Sequence, residues 1–84
     1  MSTTLHIRNL NTRVTESELE DLFNRIGLVL SATIPVNART GESEGVGIVS
    51  MTSPGAMAAI KKLNGSMFHE LQLSVREADS EGGE

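Results

Sequence analysis

The sequence predicts a single α+β domain in the order β-α-β-β-α-β, a four-stranded antiparallel sheet with two helices on one face. Three observations predict it. Residues 5–8 and 71–76 alternate between apolar and polar side chains, and 45–51 divides into two faces, with the period of two of half-buried strands. Two further segments carry apolar residues at helical spacing behind start signals. The length, 84 residues, gives room for one small core and none for a catalytic domain plus a second module.

The first strand is Leu5-His6-Ile7-Arg8-Asn9-Leu10, with Leu5 and Ile7 on one face and His6 and Arg8 on the other. Thr15-Glu16-Ser17-Glu18 reads as a capping box, and Val14 and Leu19 have the spacing of a hydrophobic staple. Leu19, Leu22, Phe23 and Ile26 form one apolar stripe, so a helix is expected over about 16–26, closed by a left-handed Gly27. Val29 to Val36 is rich in β-branched residues and predicts the second strand, with Leu30, Ala32 and Ile34 on one face. Turn formers at 37–43 end it.

The third strand, Gly45 to Met51, places Gly45, Gly47, Val49 and Met51 on one face and Val46, Ile48 and Ser50 on the other. Its two glycines suggest close approach by another element. Ser53-Pro54 starts the second helix, with serine as cap and Met57, Ile60 and Leu63 as its buried stripe, and Asn64-Gly65 stops it. The last strand, Leu71 to Arg76, turns Leu71, Leu73 and Val75 inward. The helices cover one sheet face, and the other meets solvent or a partner.

Charge is unevenly spread. Of the 11 acids, Glu77, Asp79, Glu81 and Glu84 lie in the last eight residues, leaving residues 1–76 formally neutral. The expected organisation is a folded domain at 1–78 and an acidic, disordered tail at 79–84; one arrangement for the tail is to lie over Arg8 and Arg76. A neutral domain gives no electrostatic argument for nucleic acid. No apolar run reaches the ~20 residues of a membrane span. The start, Met1-Ser2-Thr3-Thr4-Leu5-His6, lacks the pattern of a secretory signal, so an intracellular location is expected. There is no cysteine, and His6 and His69 match no metal-ligand spacing. No nucleophile sits with a base and an orienting acid, so neither catalysis nor a cofactor is expected. Gly45-Val46-Gly47 is no dinucleotide fingerprint, because no third glycine and no helix follow it.

Over about residues 4–78 the chain resembles the RNA recognition motif family, a ferredoxin-like sandwich. Leu5-His6-Ile7-Arg8-Asn9-Leu10 is similar to the family's strand-one hexapeptide, with His6 in place of its aromatic residue. Glu44-Gly45-Val46-Gly47-Ile48-Val49-Ser50-Met51 keeps Gly, Gly and Val of the strand-three octapeptide in register. Ile34-Pro35, the Arg39-Thr40-Gly41 loop, Leu63-Asn64-Gly65 and Leu73-Ser74-Val75 support the match.

The resemblance implies single-stranded RNA as partner, bound on the open sheet face by stacking bases on aromatic rings. Those positions here are His6, Val46 and Ile48. Stacking contributes ~1–3 kcal/mol per base, so two lost platforms remove roughly 2–6 kcal/mol. That is ~30-fold to more than ~10⁴-fold in affinity. Glu44 stands where the family carries a base, and Glu42 lies in the preceding loop. The expected RNA-binding set is His6, Arg8, Val46, Ile48 and Arg76, with weak binding. Two readings of each stay open: His6 is a stacking ring or a half-exposed strand histidine, and the Val46/Ile48 face contacts RNA, a protein partner or a second copy.

Overall fold

A computed structural model describes residues 2–78; the tail expected at 79–84 lies outside the described residues. The elements are β1 (Ser2–Arg8), α1 (Glu16–Asn24), β2 (Val29–Thr33), β3 (Val46–Thr52), α2 (Ser53–Leu63), β4 (Met67–Phe68), β5 (Leu71–Gln72) and β6 (Ser74–Glu77). The main sheet has the order β2-β3-β1-β6, all antiparallel, and β4-β5 is a separate hairpin. Leu5, Ile7, Val49, Met51 and Val75 from one sheet face join Leu19 and Phe23 of α1 and Ala56, Ala59 and Leu63 of α2 in one core. Both helices therefore cover that face, and each large apolar side chain they bury contributes about 1.5–3 kcal/mol.

The start of α1 follows its sequence signature. Thr15 Oγ1 accepts from the Glu18 amide at 3.1 Å, and Glu18 Oε1 accepts from the Thr15 amide at 3.0 Å, which satisfies two otherwise unpaired donors. Val14 and Leu19 are both buried. Glu16 Oε2 accepts from the Ile34 amide at 2.9 Å, tying the first turn of α1 to the chain just beyond β2.

Several expectations are corrected. The first helix ends at Asn24, before Ile26. Gly27 is not among the left-handed residues. Its requirement is steric: a Cβ there would stand 2.7 Å from the Cα of Gly55, so the loop after α1 and the first turn of α2 touch backbone to backbone. In β2 the register shifts between Val29 and Ser31, which turns Val29 into the core and leaves Leu30 54% exposed rather than aligned with Ala32 and Ile34. The strand stops at Thr33, and Val36 keeps only an isolated bridge to Ser43.

For α2 the cap position is Thr52, without a side-chain cap bond, and Ser53 instead pairs its hydroxyl with that of Thr3 at 2.9 Å. Met57 is 55% exposed; Gly55, Ala56, Ala59 and Leu63 are the buried residues. A spacing of three falls short of the ~3.6 residues per turn, so Met57 and Leu63 lie well apart around the helix. The contact with Gly27 decides which side faces in. β3 begins at Val46 rather than Gly45, which is left-handed at φ 77° and accepts through its carbonyl from the Leu10 amide at 2.9 Å. Gly47 lies beneath side chains, with a Cβ there reaching 2.8 Å from Leu19 Cδ2.

The last predicted strand is two. Leu73 and Val75 are buried, but Leu71 is exposed and pairs with Phe68 in the β4-β5 hairpin. The two residues between them, His69 (φ 50°) and Glu70 (φ 72°), are both left-handed, the form of a tight hairpin turn that ordinarily selects Asn-Gly. Gln72 Nε2 donates to the Gly65 carbonyl at 2.9 Å, and Asn64 Oδ1 accepts from the Val75 amide at 3.0 Å, anchoring the hairpin between α2 and β6.

Gly27→Ala is expected to lower stability by about 1–3 kcal/mol through overpacking against backbone, a fall in Tm of roughly 4–8 °C per kcal/mol for a domain of this size. An unchanged Tm contradicts the contact. Glu70→Gly should act in the opposite sense, because a left-handed L-residue costs about 1–2 kcal/mol and glycine returns only about 0.5–1 kcal/mol of that as lost chain entropy. Thermal denaturation of the two variants side by side checks both signs.

Candidate nucleic-acid interface

The face away from the helices is built by the pairing of three strands. Along β1, Leu5 and Ile7 are buried while His6 is half-buried and Arg8 exposed, so the alternation read from the sequence holds. Along β3, Gly47, Val49 and Met51 are buried and Val46, Ile48 and Ser50 are half-buried on the open side. β6 completes the surface with Ser74 half-buried and Arg76 exposed.

Register brings the five expected residues together. His6 stands opposite Ile48 on β3 and opposite Arg76 on β6. Arg8 stands opposite Val46 and Ser74. The five thus occupy two adjacent cross-strand rows, where directly opposed side chains lie about 4.5–5.5 Å apart at Cβ. Thr33 of β2 extends the first row as the partner of Ile48. A further row of hydroxyls runs Ser31–Ser50–Thr4. Sequence reasoning missed Thr33, Ser74 and this row, because period-two alternation assigns a face but not an opposite number.

The chemistry of the surface is specific in what it lacks. The chain has two phenylalanines and no tyrosine or tryptophan. Phe23 is fully buried and Phe68 belongs to the hairpin, so His6 is the one ring on the sheet face among the described residues. Arg8 and Arg76 make no salt bridge among the described residues. Glu44 Oε2 accepts from Asn37 Nδ2 at 3.3 Å, which holds the carboxylate in the loop without removing its charge. Asn37 Oδ1 in turn accepts from the amides of Arg39 and Thr40, at 2.8 and 3.2 Å, and orders the turn between β2 and β3. No group of three or more His, Cys, Asp or Glu residues suited to a metal ion occurs among the described residues. No helix there is long and apolar enough to cross a membrane.

The model of the RNA recognition motif matches residues 5–74. The chain belongs to the RNA recognition motif family. Among curated relatives, it is 35% identical over 72 residues to polyadenylate-binding protein 7 of Arabidopsis thaliana, covering 84% of this chain and 12% of that protein. The chain is therefore a small fraction of that relative's length. Among solved structures, the crystal structure of RNA binding protein PG1 superposes with a TM-score of 0.87 at 36% identity, covering 90% of this chain and 93% of that one. The Sxl-lethal protein/RNA complex superposes with a TM-score of 0.86 at 32% identity, covering 93% of this chain and 47% of that one. Family and relatives together support RNA binding in general terms.

Proposed function

We propose that this RNA recognition motif binds single-stranded RNA with low affinity through its open sheet face. His6 is the stacking ring, Val46 and Ile48 form the apolar floor beside it, and Arg8 and Arg76 hold phosphates. The observation that supports this reading is the register that sets His6 between Ile48 and Arg76. A ring flanked by an aliphatic surface and a guanidinium offers one base a stacking partner, an apolar neighbour and a counter-charge for its phosphate. Low affinity follows from the two aliphatic residues at the other platform positions, which lack the π-faces that stack further bases.

An amide-resolved NMR titration with a pool of short random single-stranded RNAs, at low and then moderate salt, tests the site. Shifts should cluster on residues 6–8, 46–50 and 72–76 and weaken as salt rises. Arg8→Ala should flatten the dependence of log K on log salt by about 0.7, the loss of one phosphate contact on a single strand. His6→Ala should weaken binding. Unchanged affinity in both variants removes the proposed site, and a flat titration transfers the face to a protein partner, for which Ile48→Glu should then abolish complex formation.

Restoring a platform is the complementary experiment. Ile48→Phe places a ring beside His6 and should tighten RNA binding by ~1–3 kcal/mol, roughly 5- to 150-fold. No gain in that variant means that bases do not lie over this row.

A further inference from the structure

The open sheet face is divided by charge. His6, Arg8 and Arg76 occupy two neighbouring rows toward the carboxy-terminal end of β1. The row beyond His6 is Thr4–Ser50–Ser31, and beyond that Ser2 stands opposite Thr52. Thr33 closes the His6 row on β2, opposite Ile48. Residues 2–5, 29–33 and 49–52, which build this half, include no charged side chain. One end of the face is cationic and the other is made of hydroxyls.

Thr4 and Ser50 are half-buried, Ser31 and Thr33 are exposed, and none of the four carries a side-chain hydrogen bond among the described residues. Elsewhere the fold puts its hydroxyls to use. Thr3 and Ser53 pair with each other, Thr15 caps α1, and Ser66 donates to the Leu63 carbonyl. The hydroxyl row has no such structural partner. Its members are neutral and each can donate or accept, so they suit a neutral polar edge rather than a phosphate.

The division gives a nucleotide a direction. Alternate residues of a strand lie about 6.6–6.8 Å apart, which sets Thr4 one such step from His6 and Arg8 one step away on the other side. A base lying over His6, with its phosphate held at Arg8 or Arg76, turns its far edge away from the arginines and toward Thr4 and Ser50. We propose, on the basis of the RNA-binding reading of this face, that Thr4, Ser50 and Ser31 bond the hydrogen-bonding edge of the base stacked on His6. Serine and threonine match donors and acceptors alike. The site therefore requires a polar edge but does not select which base supplies it.

The test uses the 84-residue protein, amide-resolved NMR and three short RNAs. These are tetrauridylate, tetracytidylate and a tetramer whose bases are difluorobenzene, which keeps the outline and stacking face of uracil without a strong hydrogen-bonding edge. Tetrauridylate should shift residues 4, 31 and 50 together with 6, 8 and 48. Tetracytidylate, whose edge reverses the donors and acceptors of uracil, should bind within about fivefold of it, less than one bidentate base contact imposes. Thr4→Val and Ser50→Ala, both outside the core, should each lower the preference for tetrauridylate over the difluorobenzene tetramer by roughly 2- to 10-fold, the loss of one neutral hydrogen bond. Comparing this ratio between proteins cancels the greater apolarity of the analogue. Thr4→Ser keeps the hydroxyl and should keep the preference. Bonds between neutral groups are not screened, so the preference should hold as salt rises while every affinity falls. An unchanged preference in both Thr4→Val and Ser50→Ala overturns the inference and leaves stacking on His6 in place, as does strong discrimination between tetrauridylate and tetracytidylate. The absence of sheet-face shifts with every RNA removes the RNA-binding reading itself, and this inference with it.

Discussion

The structure depends on one ladder, the antiparallel pairing of β1 with β3 from Ser2↔Thr52 to Arg8↔Val46. These are the two central strands, and their period of two divides every side chain between core and open face. A slip of one residue would exchange the faces. It would expose Leu5 and Ile7, each worth about 1.5–3 kcal/mol when buried, and drive Arg8 into an apolar interior that offers it no partner, a cost of several kcal/mol. The register is held by that penalty. The sheet surface that carries His6, Arg8, Val46 and Ile48 is consequently fixed by the core, without needing any contact of its own.

What was legible in the sequence is what is local. β1, β3 and the capped start of α1 rest on period, capping chemistry and alternation within a few residues; their faces and the cap match the sequence, although β1 runs from Ser2 to Arg8 rather than over 5–10 and β3 starts one residue late. The misread features depend on distant partners. The register shift at Leu30 belongs to the pairing of β2 with β3, which a run of apolar and β-branched residues does not disclose. The rotation of α2 is decided by Gly27 against Gly55, two glycines separated in sequence by two strands and the loop between them. The hairpin escaped notice because His69-Glu70 lacks the residues that usually mark such a turn.

The candidate interface was legible in the same partial way. Alternation assigned His6, Arg8, Val46, Ile48 and Arg76 to one face, and the family resemblance made them the candidates. Their grouping into rows required strand order: β6 is last in the chain yet pairs with the first strand, so Arg76 becomes a neighbour of His6. Glu44 keeps its negative charge beside the open face, and only the fold shows that Asn37 holds its carboxylate within the β2–β3 turn.

The β4-β5 hairpin and the open sheet face share one stretch of backbone. The chain that leaves the hairpin at Gln72 enters β6 two residues later, bringing Ser74 and Arg76 to the rows of the open face. Asn9, left-handed at φ 60° just beyond β1, donates from Nδ2 to the Gln72 carbonyl at 2.8 Å and fixes that junction against the strand bearing His6 and Arg8. Hairpin, junction and open face are therefore positioned by the same few bonds. A face with a single ring depends more on the placement of its remaining groups than one with several interchangeable platforms, and that placement is what the hairpin junction supplies.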